Sequence, residues 1–447
     1  MSCDANAEQT QPAASAQAEY ERLVERDLRR NVTGVVGWDF LWGLGMPFAM
    51  FPVFTPAYLG EMNAPKAVIG LVLASPSLFA ALQLLPGYFI QPRRRLRRYR
   101  TMVILGLLPY FLYGVTSTLW GAAWPAPVHI ALFSAGMLSL LLVSNIGGGI
   151  YWEMLTDNIP VRRRGWLFGL RMAGQGTAGV LTGAVALWVL NHWQKPLNFR
   201  ISFLIGSSLY LISCASLWLI RDHVNPAHSH PRRAVEGPIT GYVLDTFRKA
   251  WSDANYRTFL FFHALLVIAA TNAPFMVDAA REQLGASAAG QGIFSFIYLG
   301  VAACFGWVIG RLADRYGYRL IGCVCGSLLT VTFLLCLTAP RMLYWYAAYG
   351  CYALTWSSLG MLLCNMGAEI HPAIAPNRLV GVGNLLLVGF VVIAGLLSGA
   401  VAGWAGSYRP VFIANLVVSV LAVLGFLFIV REPRVERPRD VKMSPRA

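Results

Sequence analysis

Twelve stretches of this chain are apolar for about 18 to 26 residues each, close to the ~20 residues an α-helix needs to cross a ~30 Å hydrocarbon core. They run 34–59, 67–90, 101–120, 128–151, 166–190 and 201–220, then 259–277, 292–309, 320–339, 343–365, 379–402 and 410–430. Only 13% of the 447 residues are charged and 56% are hydrophobic, so a water-soluble enzyme would have nowhere to hide its apolar surface. Pro47, Pro52 and Pro56 in the first run would break a soluble helix, but neighbouring helices can re-satisfy the backbone within a membrane. The expected fold is an all-α polytopic membrane protein with twelve transmembrane helices arranged as two pseudo-symmetric six-helix bundles.

The net charge of +15 is a statement about orientation rather than about nucleic acid. With both termini cytoplasmic, about 30 of the 36 Lys and Arg fall on the inner side, the bias of the positive-inside rule. Lys66, Lys195, Arg200, Arg281, Arg341 and Arg409 remain outside. The densest basic run, Arg93 to Arg100, then sits against anionic headgroups. The expected location is a plasma or inner membrane, with the lipid bilayer as partner and no nucleic acid.

The expected organisation is a cytoplasmic segment 1–33, a bundle 34–220, a central loop 221–257, a bundle 258–430 and a cytoplasmic tail 431–447. No cleavable signal peptide is read at the start. Glu19 to Arg30 alternates acids and bases around Leu23, Val24 and Leu28, the pattern of a short amphipathic helix on the inner surface. His223, His228 and His230 cluster in the central loop without a cysteine, a spacing that matches no closed zinc site. Seven of the eight cysteines lie in apolar runs and read as small core residues. No metal and no cofactor is expected.

The two halves overlay. Gly87 at the end of the second run matches Gly310 at the end of the eighth, and each precedes a basic loop. Asp157-Asn158-Ile159-Pro160 with Arg164-Gly165 after the fourth run parallels Glu369-Ile370-His371-Pro372 with Arg378 after the tenth. Such duplications are typical of transporter folds. The stretch from Gly310 through Arg311, Leu312, Ala313, Asp314 and Arg315 to Gly317 and Arg319 resembles the loop signature of the major facilitator superfamily, Gly-x-Leu-Ala-Asp-Arg-x-Gly-Arg-Arg. Asp157 to Gly165 is similar to the acid-x-x-Pro-x-x-x-Arg-Gly pattern after its fourth span. In the first-half loop only Gly87 is kept; Gln91 stands at the aspartate position, with Pro92 and Arg94 following. The fifth run carries Gly169, Gly174, Gly176, Gly179 and Gly183 but lacks the Gly-Pro pair that resembles multidrug antiporters.

The resemblance implies that Asp314 holds one conformation by capping a helix of the other half. The exposed amides at Gly165 and Trp166, where the fifth span begins, are its expected seat. Arg311 or Arg315 is expected to pair with Glu369. Gly310, Arg311, Asp314, Arg315, Gly317 and Glu369 together form the expected gating loop, a bistable element of the kind alternating access needs.

Charge within the spans is scarce. Asp39, about five residues into the first run, is costly to ionise in a bilayer and is the candidate for proton coupling. Arg171 lies at similar depth in the fifth run, as a partner for Asp39, as a snorkelling residue or as an anion contact. His263 overlays on Asp39 across the repeat and is a second coupling candidate. The resemblance implies that spans 1, 2, 4, 5, 7, 8, 10 and 11 line the path, which makes Trp42, Gln83, Asn145, Gln175, Asn272, Trp356, Asn365 and Asn384 the cavity candidates. Amides and aromatics with few fixed charges suit a neutral or weakly charged small organic solute. Gly395, Gly399 and Gly403 read as a close helix contact.

The expected activity is secondary active transport of a small organic solute by alternating access, with protons as the coupling partner and a monomeric chain. A facilitative uniporter, or a receptor or assembly factor of transporter shape without flux, is the alternative. No phosphate-binding loop appears, and the polar groups in the spans are too sparse for an intramembrane enzyme.

Overall fold

Among the described residues each apolar run contains helix in a computed structural model of the chain, which describes residues 4–49, 55, 58–89, 94–226, 239–272, 275–284, 288–372, 374 and 376–436. The first half contains α1 (Asp4–Ala49), α2 (Lys66–Ala80), α3 (Arg95–Trp120), α4 (Ala126–Asn158), α5 (Arg164–His192) and α6 (Leu197–Ser213). A short surface helix, α7 (Ile239–Ser252), leads to α8 (Ala254–Asn272), α9 (Phe275–Leu284) and α10 (Ala288–Tyr316). Then come α11 (Tyr318–Thr338), α12 (Met342–Ile370), α13 (Pro376–Ala405), α14 (Arg409–Phe428) and the one-turn α15 (Pro433–Glu436). Among the described residues, eight helical segments satisfy strict length and hydropathy requirements for crossing a membrane.

The duplication read in the sequence reappears as packing. In the first half α1 lies on α5 and α6, α3 on α4 and α6, and α2 on α4. In the second half α8 lies on α13 and α14, α11 on α12 and α14, and α10 on α12. These are the same partnerships six spans later. One apolar core, including Tyr58, Tyr110, Phe133 and Phe203, belongs to the first bundle, and another, including Phe259, Phe333, Trp345 and Phe426, to the second. Outward-facing residues such as Leu105, Trp120, Leu181 and Trp188 are exposed, as a helix surrounded by lipid requires.

Three elements differ from the sequence reading. The amphipathic stretch before the first span does not form a separate helix: α1 continues unbroken from the polar start into the span. No proline or glycine interrupts residues 13–33, and Tyr20 donates to the Asp157 carbonyl while Asp27 takes His223 Nε2 at 2.8 Å, so the segment docks instead of turning away. The central loop contains α7, whose Tyr242, Thr246 and Ala250 are buried at four-residue spacing. His228 and His230 lie outside the described residues, and His223 is a hydrogen-bond partner of Asp27. Finally, Gly395, Gly399 and Gly403 are not in a close helix contact, since a Cβ built at each would meet nothing within 4 Å. That part of α13 stands clear of its neighbours, with Leu396, Leu397 and Trp404 exposed.

The docked start of α1 has a pH signature. The hydrogen bond from Arg26, then that from His223 and the charges of Arg26 and Arg221, hold the Asp27 carboxyl at about 2 against an ordinary 3.8. A folded value below the unfolded one stabilises docking above about pH 4 and loses that contribution as pH falls toward 2. Limited proteolysis of residues 15–30 should therefore accelerate across that acid window, and Asp27→Asn should make cleavage fast and pH-independent there.

Candidate functional site

The two bundles meet along α5 and α10. A Cβ at Gly165 would come within 3.0 Å of the Gly310 carbonyl oxygen, at Gly169 of that of Gly306, and at Gly176 of the Leu299 oxygen and the Ala303 amide. Only glycine lets the two backbones approach this closely, the small-residue packing common between membrane helices. The symmetry-related contact joins the 3-10 turn Ala81–Leu84 that follows α2 to α13: Gly381 packs on the Leu84 backbone, and Asn384 Nδ2 donates to Gln83 Oε1 at 2.8 Å. Leu84 and Phe168 of the first bundle are buried in the core of the second. The closest of these contacts lie toward the face where α15 returns beneath Asp314, here called the terminal face. Toward the opposite face α13 is open.

At the terminal end of the seam, Asp314 sits on the first turn of α5. Its Oδ1 accepts from the Gly165 amide at 2.8 Å and its Oδ2 from the Trp166 amide at 2.5 Å. The first amides of a helix have no internal acceptor and carry partial positive charge, so a carboxylate there satisfies two donors at once. Burial pushes the Asp314 carboxyl above its ordinary range, while the two amides and Arg434 pull the other way. The seat therefore sets a desolvation penalty against two charge-assisted hydrogen bonds.

Glu369 pairs with Arg434, not with Arg311 or Arg315. Arg434 Nη2 reaches Glu369 Oε1 at 2.6 Å, and its Nη1 donates to the carbonyls of Ala313 and Asp314. Arg311 instead stacks over Trp307, and Arg315 over Tyr316. The reason is reach: α15 returns Arg434 beneath the loop, whereas the two loop arginines project from the exposed face of α10. Gly317 turns the chain with φ +90°, and a Cβ there would collide with the Glu432 carboxylate, which accepts from the Arg319 amide at 2.9 Å. A side chain in this backbone region, which is essentially restricted to glycine, costs about 1–3 kcal/mol, so Gly317→Ala should lower unfolding stability by at least about 1 kcal/mol in a thermal melt.

Deeper in the first bundle, Arg171 Nε meets Asp39 Oδ2 at 2.5 Å and Nη2 meets Oδ1 at 3.2 Å. Tyr151 donates to the same carboxylate at 3.3 Å. The guanidinium lies over the rings of Tyr151, Trp152 and Phe168, each about 5 Å from its centroid. Both charged residues are buried, 5% and 4% exposed. His263 is also buried, beside Phe259, and is not brought to Asp39.

The remaining cavity candidates scatter. Trp42 stacks on Tyr210 within the first bundle, Asn145 donates to Leu141 of its own helix, and Asn272 pairs with Asn415 within the second. Gln175 lends its backbone to the close approach of Gly43, and Trp356 is exposed. Gln83 and Asn384 meet across the two halves, and Asn365 is buried between them near Arg171.

The sequence model of the Major Facilitator Superfamily matches residues 42–386 and, in a second register, 268–446. The chain belongs to the major facilitator superfamily. No curated protein matches it in sequence. Among solved structures of superfamily transporters it is similar to the proton:xylose symporter XylE bound to 6-bromo-6-deoxy-D-glucose, with TM-score 0.65 and 13% identity over 91% of this chain and 97% of that one. It is also similar to FucP in the outward conformation, with TM-score 0.64 and 13% identity over 89% and 98%. The human organic anion transporter MFSD10 matches with TM-score 0.58 and 13% identity over 89% and 99%.

Two clusters of this superfamily member were not legible as sites in its sequence. Arg95, at the start of α3, is 1% exposed and holds three carboxylates: Glu153 at 3.0 Å, Asp157 at 2.6 Å and Asp222 at 2.7 Å. The first-half loop thus keeps a buried charge cluster although it departs from the superfamily signature; Gln91 and Pro92 lie outside the described residues. A run of six arginines gave no signal for which one turns inward. At the opposite face, Tyr58, Tyr113 and His129 form a hydrogen-bonded chain, with His129 Nε2 on the Gly121 carbonyl at 2.9 Å.

Proposed function

We propose that this chain is a secondary active transporter that carries a small organic solute by rocking its two bundles about a central path. The observation that carries this reading is the seat of Asp314 on the amides of Gly165 and Trp166 at the end of a glycine seam. A closure made from backbone contact and one capping carboxylate has few side chains to unlock, which suits a two-state element. The free glycine face of α13 at the opposite side is its counterpart: Gly395, Gly399 and Gly403 stand where the related seam would form when that side closes. By the charge bias, the terminal face is cytoplasmic and the protein works in a plasma or inner membrane.

Protons are the proposed coupling ion. Protonating Asp39 would release Arg171 from its carboxylate, and the two residues belong to α1 and α5, the latter being the helix that forms the seam. XylE is a proton:xylose symporter and FucP a fucose:proton symporter, which supports the reading for this fold without setting the solute.

Uptake into proteoliposomes, with and without a protonophore, tests the function directly. Asn at position 314 keeps one acceptor and turns an amino group toward the second amide, leaving a donor unsatisfied at about 1–3 kcal/mol. Asp314→Asn should therefore reduce uphill uptake at least tenfold and raise labelling of cysteines introduced at the terminal ends of α5 and α10. A wild-type chain with no flux of any solute would favour the receptor reading.

A further inference from the structure

Between α3 and the end of α6 the first bundle carries an open groove of about 430 Å³, lined by Ile104, Leu211, Cys214, Ala215 and Trp218. That volume lies in the range of small-molecule sites, and all five residues are apolar. Leu211, Ala215 and Trp218 follow at four- and three-residue spacing along one side of α6 and the 3-10 turn Cys214–Leu219 that ends it. The small Ala215 between two large side chains makes the gap. Trp218 is 53% exposed, so the groove opens toward the lipid. Any acyl chain of a bilayer fits such a surface; the polar groups at its terminal-face end set it apart.

Arg100 and Arg97 stand on the face of α3 that carries Ile104, one and two turns nearer the terminal face. The Arg100 guanidinium lies 5.3 Å from the Trp218 ring centroid, held there by the carbonyls of Leu217, 2.7 Å from Nη2, and Ile220, at 3.2 Å. These acceptors are neutral, and they leave Nη1 without a partner among the described residues. Asp222 is the one carboxylate close enough to act on Arg100, and Arg95 and Asn158 already hold it. Arg97 is exposed, with no ion pair and no side-chain hydrogen bond among the described residues. Arg30 of α1 donates to the Leu219 carbonyl of the same turn at 2.7 Å, adding a third cation. The first turn of α3 carries no acid, so Arg97 also sits unbalanced at the positive end of a helix dipole. We propose that the groove binds one anionic phospholipid of the leaflet at the terminal face, with an acyl chain along Ile104, Ala215 and Trp218 and the phosphate on Arg97 and Arg100 Nη1. A zwitterionic lipid offers the same phosphate but brings its own ammonium to the arginines, so charge selects the anionic headgroup. The 3-10 turn also packs on α1, with Ser216 beside Gly34 and Gly37, and the lipid thereby braces α1, α3 and α6 at one end of the bundle. The site needs the membrane and the first bundle; it does not depend on flux or coupling.

The test follows the melting temperature of the purified full chain in non-ionic detergent during titration with phosphatidylglycerol, with phosphatidylcholine of the same acyl chains, and with glycerol 3-phosphate. Phosphatidylglycerol should raise it with saturation, and neither phosphatidylcholine nor the chain-free phosphate should do so. An arginine beside an anionic headgroup is worth about a fivefold change in affinity, so Arg97→Gln should weaken the phosphatidylglycerol response about fivefold and the double variant with Arg100→Gln at least about tenfold. Ala215→Trp fills the groove while leaving every charge in place; it should abolish the response, and it serves if the double variant does not fold. Arg98→Gln, on a different side of α3, should leave the response within about twofold. No response to phosphatidylglycerol, equal response to phosphatidylcholine or glycerol 3-phosphate, or a response that survives Ala215→Trp overturns the site. Equal losses in Arg97→Gln and Arg98→Gln would assign the effect to general attraction by the basic run and overturn it as well.

Discussion

Gly169→Val should open the terminal face. A Cβ at this position would fall within 3.0 Å of the Gly306 carbonyl oxygen and the Trp307 Cα, both backbone atoms that cannot rotate away. Overpacking of this kind typically costs about 1–3 kcal/mol, and only the closed arrangement bears it, because separated helices leave room for the side chain. Each 1.4 kcal/mol is about tenfold in a population ratio, so the closed state should fall by roughly one to two orders of magnitude. Accessibility of cysteines placed along the terminal ends of α5 and α10 measures this. Gly174→Val on the same helix is the control, since a Cβ there meets only the Val36 side chain at 3.6 Å.

Asp39→Asn should have the second large effect, on stability and coupling at once. It leaves the Arg171 guanidinium buried with its charge uncompensated, and removing one partner of a buried pair costs about 3–5 kcal/mol. Arg171→Gln added to Asp39→Asn removes the orphaned charge and should recover most of the melting temperature. If Asp39 is the proton carrier, the recovered double variant still exchanges solute down its gradient but no longer accumulates it in response to a pH gradient. Undiminished accumulation would assign coupling to another group.

The spans were legible because lipid imposes a requirement on every ~20-residue stretch separately, and the seat of Asp314 was legible because both the carboxylate and the helix start at Gly165 announce themselves locally. Pairings between distant segments were not. Nothing near Glu369 marks Arg434, 65 positions on, as its partner in preference to two arginines of the signature loop. Nothing within Arg93 to Arg100 marks Arg95 as the one that faces Glu153, Asp157 and Asp222. The glycines of α5 and α13 look alike in sequence, yet those of α5 carry the closest backbone contacts between the bundles while Gly395, Gly399 and Gly403 face open space. Sequence records that a helix has a small-residue face; which partner occupies that face depends on the conformation.

The central claim is that closure at the terminal face, held by the α5–α10 seam and Asp314, alternates with closure at the opposite face. Distance distributions between spin labels at Arg162 and Tyr316 on the terminal face, and at His192 and Trp404 on the opposite face, measure both closures in one protein in lipid. The account predicts two populations for each pair that shift in opposite senses, with Asp314→Asn lengthening the first distance as it shortens the second. A single distribution for each pair, unchanged by Asp314→Asn, would contradict it.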